Sequence, residues 1–133
     1  HGASEHGGVL IGVGDDPNMT STINNYASEL LFEDLLMPVL YPADIQEVLD
    51  MGLYGIALSR FSGAWVGYKL LPETIETSSS VDGDINRVQI VTPDLISHPK
   101  ALMPSWVTLS IYRRHVYATT AFPPLSRLRG QTA

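Results

Sequence analysis

The chain has 133 residues, 44% hydrophobic and 17% charged, a composition that can build the core of one domain and excludes a disordered segment. It has no cysteine, which excludes disulfides, thiol catalysis, thiolate zinc sites and iron–sulfur clusters held by this chain. No apolar run reaches the roughly 20 residues of a membrane helix and the sequence shows no secretory signal, so we expect a cytoplasmic fragment with no membrane partner.

The charges are unevenly distributed. Residues 1–84 carry thirteen acidic and two basic side chains, whereas residues 85–133 carry one acidic and six basic ones. We therefore predict an α/β segment over residues 1–82 and a basic, proline-containing connecting segment over residues 83–133. Because the bases are scattered and the whole chain is acidic, the second segment favours packing on an acidic surface of its own protein over binding nucleic acid.

The first 41 residues predict two strands around one helix. The apolar run at residues 8–14 is typical of a strand that is buried on both faces, as in a parallel sheet. Residues 26–36 predict a helix with Asn24 or Asn25 as its cap. The short apolar run at residues 37–41, bounded by prolines, predicts a second strand.

A longer helix follows and is the clearest element. Asp44 and Glu47 have the spacing of a capping box, apolar residues then recur with a period of 3.6, and Gly63 is a typical stop. Arg60, near the end of this helix, is expected to complement the helix dipole and to pair with a carboxylate. The alternative is an exposed arginine whose stem lies along the protein surface. Residues 65–71 predict a third strand, and the alternation of strands and helices indicates an α/β fold with right-handed crossovers.

The remaining sequence is less regular. Residues 73–84 are polar and predict a loop, and residues 88–91 predict one short strand. Residues 105–121 have apolar side chains at helical spacing and predict a helix, although they are rich in residues that favour strands.

The polar residues after the first strand are the main candidate site. In open α/β sheets ligands bind beyond the carboxyl ends of strands, so Asp15 and Asp16 could bind a cation or orient a loop. The alternative is that both carboxylates accept backbone N–H groups of the following turn. Thr20, Ser21 and Thr22 add hydroxyl groups to this loop, which suits either a polar ligand pocket or simple solvation.

Two other classes of site are disfavoured by the residues themselves. Gly12 and Gly14 suggest a dinucleotide-binding loop, but Pro17 stands where the third glycine is needed and offers no N–H to a pyrophosphate. A receiver-type signalling domain needs a phospho-accepting aspartate at the end of a buried strand. The only candidate, Asp50, lies on the predicted amphipathic helix.

A longer run of motifs carries a family resemblance. In chain order these are Gly14-Asp15-Asp16, Ser21-Thr22 in a loop that closes on Ser28-Glu29, Met37-Pro38-Val39-Leu40, residues 42–50, residues 57–63, Trp65-Val66-Gly67, Glu73-Thr74-Ile75-Glu76 and Ser80-Val81-Asp82. In order and spacing this run resembles the indolepyruvate ferredoxin oxidoreductases, which are 2-oxoacid:ferredoxin oxidoreductases that depend on thiamine diphosphate.

The resemblance implies a fold and a site. The fold is a partial parallel-sheet layer of the Rossmann-like domain that binds the aminopyrimidine ring of thiamine diphosphate, of which this chain would be the later half. The implied cofactor-binding or substrate-loop residues are Asp15, Asp16, Thr20, Ser21 and Thr22. The resemblance assigns no catalytic residue and no metal ligand to this chain, and it places the activating glutamate and the diphosphate–Mg²⁺ site elsewhere in the parent enzyme.

The resemblance also implies a reaction and partners. The parent enzyme would decarboxylate indolepyruvate or another aryl 2-oxoacid oxidatively to the acyl-CoA, through iron–sulfur clusters outside this chain. Its partners would be the remaining domains or subunits, ferredoxin, CoA and further copies in a homo-oligomer, and the isolated chain would be inactive. The loop after the first strand has no basic residue, and Thr20, Tyr26 and Ala27 replace a Lys and a His–Gln pair of similar family members. The alternative is a non-catalytic α/β scaffold or interaction module derived from that family.

Overall fold

The computed structural model describes residues 3–4 and 7–92 of the chain. Its elements are β1 (Leu10–Gly14), α1 (Glu29–Asp34), β2 (Val39–Leu40), α2 (Ile45–Ser62), β3 (Val66–Leu70) and α3 (Pro72–Ile75). The predicted helix over residues 105–121 lies outside the described residues. Within the described part, no helix is long and apolar enough to cross a membrane.

The three strands form one small, open, parallel sheet in the order β1-β3-β2. The predicted α/β fold with a parallel sheet is therefore confirmed, and the sheet is compatible with a Rossmann-like layer. Side chains alternate between the two faces of a strand, so Val66 and Gly67 mark opposite faces of β3. Gly55 of α2 lies against Val66, and Phe32 of α1 lies against Gly67, which places the two helices on opposite faces.

Burial along the strands differs from the prediction. The sequence predicts that the first strand is buried on both faces, but Gly12 and Gly14 of β1 are exposed, so this prediction is wrong. The buried strand is β3, in which the residues from Val66 to Lys69 are all buried. The reason is position, because β3 has a strand on each side and a helix on each face, whereas β1 is an edge strand among the described residues.

The face covered by α2, here the α2 face, holds the apolar core. Tyr54 and Leu58 of α2 pack with Val66 of β3, and Leu10 and Leu40 of the neighbouring strands pack against them. Burial of this kind contributes about 25 cal/mol for each Å² of apolar surface removed from water.

Both predicted ends of α2 are confirmed. Asp44 accepts a hydrogen bond from the Glu47 amide at 2.7 Å, and Glu47 accepts one from the Ala43 amide at 2.9 Å. At the other end Gly63 has a φ of 69°, the left-handed conformation that glycine adopts without strain. The expected ion pair of Arg60 is not found among the described residues. Arg60 is exposed, and its stem lies beside Gly8.

The opposite face, here the α1 face, is covered by a shorter helix than predicted. The sequence predicts a helix over residues 26–36, but α1 spans only Glu29–Asp34. Tyr26 and Ser28 are held by hydrogen bonds to Asp16 and Asp15, which keep the chain in a loop up to Ser28. After the helix Leu36 adopts a φ of 53°, which ends the helical path.

The chain after β3 also differs from the prediction. The polar stretch predicted as loop begins inside α3, which starts at Pro72 as the first helical residue and includes Glu73. Residues 88–91 form no strand, so that prediction is wrong. These residues have no strand neighbour in the described sheet, and a short apolar run alone does not create one.

Candidate functional site

The carboxylate of Asp16 organises the loop that follows β1. Its oxygens accept hydrogen bonds from three successive backbone amides, those of Thr20 at 2.7 Å, Ser21 at 2.8 Å and Thr22 at 2.7 Å. The Thr22 hydroxyl lies 3.0 Å from the same carboxylate. Asp16 is therefore a buried anchor for the loop, as in the alternative prediction that the acidic pair accepts backbone N–H groups.

Asp15 closes the same loop at its other end. A single oxygen, Asp15 Oδ2, accepts hydrogen bonds from both the amide and the hydroxyl of Ser28, each at 2.8 Å. The backbones of Asp16 and Tyr26 also pair, at 3.2 and 3.4 Å. Residues 15–28, here the β1 loop, thus form a compact loop with adjoining ends, a type that is frequently functional.

Lys69 joins the β1 loop to the sheet. It lies on β3 in register with Val13 and is only 2% exposed. Its ammonium group lies 3.3 Å from Asp15 Oδ2, forms a close ion pair with Glu29 at the start of α1, and stands 4.8 Å from the centroid of the Tyr41 ring. The lysine thus connects the loop, α1 and the central strand through one charged group.

The outer part of the β1 loop is held by α3. Glu73 Oε1 accepts hydrogen bonds from the Asn18 side chain at 3.0 Å and from the Thr20 hydroxyl at 3.1 Å. The loop consequently bridges the carboxyl ends of β1 and β3. Ser21 and Ile23 remain exposed at its tip, Ile23 to 94%.

The local interactions shift the pKa values of these groups. Burial raises the pKa of Asp16, but the loop amides and the Thr22 hydroxyl outweigh it and lower the pKa below its ordinary value. The hydrogen bond from Lys69 lowers the pKa of Glu29. Burial alone would lower the pKa of Lys69, but its contacts with Glu29 and Asp15 outweigh this and raise it. Glu29 and Lys69 are therefore both charged at neutral pH.

The five residues predicted from the sequence do lie together, but in different roles. Asp15 and Asp16 fold the loop, Thr20 and Thr22 are hydrogen-bonded within the protein, and Ser21 presents an exposed hydroxyl. Four further residues complete the arrangement and were not among the predicted site residues. Ser28, Glu29 and Glu73 belong to the motifs that carry the resemblance, whereas Lys69 does not. A usable signal existed for Lys69, because a lysine inside an apolar strand must find an anion when it is buried.

The described residues lack the groups that would hold the diphosphate–Mg²⁺ end of thiamine diphosphate. They contain no group of three or more acidic or histidine side chains placed to hold a metal ion, and Asp16 is fully used by the loop. The β1 loop offers no basic side chain to a diphosphate. The described part of the chain therefore does not fit this end of the cofactor.

A second ionic cluster lies on the α2 face. Arg87 binds both oxygens of the buried Asp50, with its Nη1 at 3.0 Å from Oδ2, and its Nε donates to the Asp82 carbonyl at 3.0 Å. This pair ties the first base of the predicted connecting segment to an acidic residue of α2. The other bases of that segment lie outside the described residues.

The chain is similar to two curated proteins. They are the indolepyruvate oxidoreductase subunits IorA of Pyrococcus horikoshii and Pyrococcus abyssi, each 32% identical over 80 residues. The matched stretch covers 60% of this chain and 12% of each relative, so the chain spans about an eighth of their length. No protein-family model matches the chain, and no solved structure matches it significantly.

Proposed function

We propose that this chain is a segment of a thiamine diphosphate-dependent 2-oxoacid:ferredoxin oxidoreductase, in which it forms the later half of the domain that binds the aminopyrimidine ring. The parent enzyme oxidatively decarboxylates indolepyruvate or another aryl 2-oxoacid to the acyl-CoA and passes the electrons to ferredoxin. The observation that carries the proposal is the 32% identity over 80 residues to the two IorA subunits.

The geometry supports a ligand-facing role for the β1 loop. The loop leaves β1 at the carboxyl edge of a parallel sheet, which is where α/β folds bind ligands. Its internal hydrogen bonds hold the backbone and leave Ser21 at the surface. Because the loop carries no charge from residue 17 to residue 28, it suits contact with a neutral ring better than capture of a free carboxylate.

The proposal divides the work between this chain and the rest of the enzyme. Thiamine diphosphate supplies the carbanion chemistry when it is bound. The described residues contribute a positioned loop, whereas the diphosphate–Mg²⁺ grip, the activating glutamate and the iron–sulfur clusters belong to other parts. This division agrees with the small share of each relative that the chain covers.

One observation favours a second candidate, a non-catalytic scaffold or interaction module. Leu30, Leu31 and Leu35 are exposed, as is Ile23 of the β1 loop, which leaves several apolar side chains of this region in contact with solvent. Neighbouring exposed apolar groups often mark an interface. A scaffold would use this surface without any contribution of Ser21 to turnover.

The test is steady-state kinetics of the complete enzyme expressed from its natural reading frame. We expect the unaltered enzyme to reduce ferredoxin in a reaction that depends on indolepyruvate and CoA. We expect Ser21→Ala to lower kcat/KM about tenfold, which is the effect of losing one hydrogen bond in a desolvated site. Ser78→Ala is the matched control, because Ser78 is also an exposed serine but lies outside the β1 loop. Absence of turnover with every 2-oxoacid tried would leave the scaffold as the function.

A further inference from the structure

The side chains of the β1 loop and β3 meet at one atom. Asp15 Oδ2 accepts both hydrogen bonds from Ser28 and also contacts the Lys69 ammonium at 3.3 Å. Glu29, the residue after Ser28, holds the same ammonium group. The Asp15 amide also donates to the Leu70 carbonyl of β3 at 3.1 Å, which fixes the backbone at the start of the loop. Lys69 adds a link from β3 to the side chain of Asp15 and to Glu29, the residue that follows the loop.

Stability alone does not account for a charge at this position. Lys69 is 2% exposed, and taking an ammonium and a carboxylate out of water carries a desolvation penalty that their attraction offsets only in good geometry. An apolar pair of similar volume is often as stable or more so. What the ion pair adds is a defined position, because the ammonium has to lie within reach of Asp15 and Glu29 together.

The arrangement is also incomplete. Asp15 Oδ1 is buried, and it has no hydrogen-bond partner in the part of the chain that the structure describes. The hydrogen bonds and the ion pair of this carboxylate converge on its other oxygen, which makes the position of the Asp15 side chain dependent on Lys69 and Ser28.

We infer that Lys69 is a positioning residue for the β1 loop: through Asp15 and Glu29 it sets where the loop lies against β3, and it does so without contacting substrate. That this loop faces a 2-oxoacid or the aminopyrimidine ring rests on the proposed function. The positioning itself is a property of the described contacts. A change at Lys69 consequently weakens substrate binding through displacement of the loop.

The experiment uses two double variants of the complete enzyme. Asp15→Asn with Lys69→Met removes both charges and keeps an acceptor for Ser28. The matched control, Asp50→Asn with Arg87→Met, makes the same chemical change in the ion pair on the α2 face. The readouts are KM and kcat with indolepyruvate, and deuterium uptake of peptides from residues 15–28, measured by mass spectrometry.

We expect the first double variant to raise KM about tenfold with kcat within about twofold, and to speed deuterium uptake in the β1 loop about tenfold. The control leaves both quantities unchanged. Wild-type KM and wild-type uptake in the first variant would overturn the inference while the proposed function stands. If the unaltered enzyme turns over no 2-oxoacid, the proposed function fails, and loop uptake alone decides the role of Lys69.

If the first double variant does not fold, a milder variant tests whether the charged cluster positions the β1 loop. Glu29→Gln removes one charge from a half-exposed side chain, and Glu33→Gln is its control on the same helix. We expect faster uptake in the β1 loop for Glu29→Gln only, by about threefold. Equal uptake in the two variants would show that the cluster does not position the loop.

Discussion

The two faces of the sheet are built by different means. The α2 face has an 18-residue helix with a capped start and a glycine stop, and its core is apolar. The α1 face has a six-residue helix with no side-chain cap, and it buries Phe32 beside a cluster of charges. The α2 face thus holds the apolar core cluster, whereas the α1 face uses charge to place a loop.

The ion pairs of the two faces differ in the same way. Arg87 is 20% exposed in its side chain and binds both oxygens of Asp50, so this pair joins a surface segment to α2. Lys69 is buried and shares one oxygen of Asp15 with Ser28. Loss of the Arg87–Asp50 pair frees a surface segment, whereas loss of the Lys69–Asp15 pair disturbs the start of the β1 loop.

The largest expected effect comes from Lys69→Met as a single change. It leaves the buried Asp15 without its cation, and breaking a buried pair in this way typically costs about 3–5 kcal/mol. Arg87→Met also leaves a buried carboxylate, that of Asp50, but it should cost less. The Arg87 side chain is 20% exposed, so its removal lets water reach Asp50, and the Gln46 side-chain amide stays 3.4 Å from that carboxylate. Chemical denaturation of both variants measures the difference, and a larger loss for Arg87→Met would reverse the comparison.

A second contrast concerns glycines. At Gly67 an added Cβ would lie 2.9 Å from the Phe32 ring, so Gly67→Ala should destabilise the fold by about 1–3 kcal/mol through overpacking. At Gly52 the nearest atom is 4.0 Å away, and alanine favours the helix by about 0.5–1 kcal/mol. Thermal unfolding of the two variants should therefore shift in opposite directions.

Tyr68, on the α2 face, makes the stability of the fold depend on pH in the alkaline range. Burial, with a contribution from the Asp50 charge, raises the pKa of Tyr68 to about 12. A raised pKa stabilises the fold below the ordinary value of 10.0, and this stabilisation is lost as the pH rises towards 12. Tyr68→Phe should remove this part of the pH dependence. It should also cost about 1 kcal/mol at neutral pH, because the hydroxyl donates to the Val48 carbonyl. Denaturation midpoints between these pH values test it.

The smallest expected effect is confined to the β1 loop and occurs at acidic pH. Because the pKa of Asp16 is lowered, its contribution to the loop is present above the ordinary value of 3.8 and is lost as the pH falls through the lowered value. The amide resonances of residues 20–22 should therefore titrate below pH 3.8. In Asp16→Asn they should not titrate there. A midpoint above 3.8 would mean that the amide contacts do not hold the carboxylate.

The sequence pattern predicts α2, the helix on the α2 face, well. The capping residues Asp44 and Glu47, the helical period and Gly63 act within a few residues of one another, so the limits of α2 follow from local sequence. On the α1 face the same reasoning predicts too long a helix. There Tyr26 and Ser28 bond with the acidic pair at the start of the β1 loop, and partners so distant along the chain leave no periodic signal.

Local sequence is enough to specify the α/β alternation, the limits of α2, and the five polar residues that come together after β1. Each of these follows from short-range spacing and from the direction of parallel strands. Three other features depend on the folded chain: β3 is the central strand, the two aspartates fold the loop, and Lys69 pairs with Asp15 and Glu29. The physical reason is strand order, which brings residues 15, 29 and 69 to one point although they are far apart along the chain.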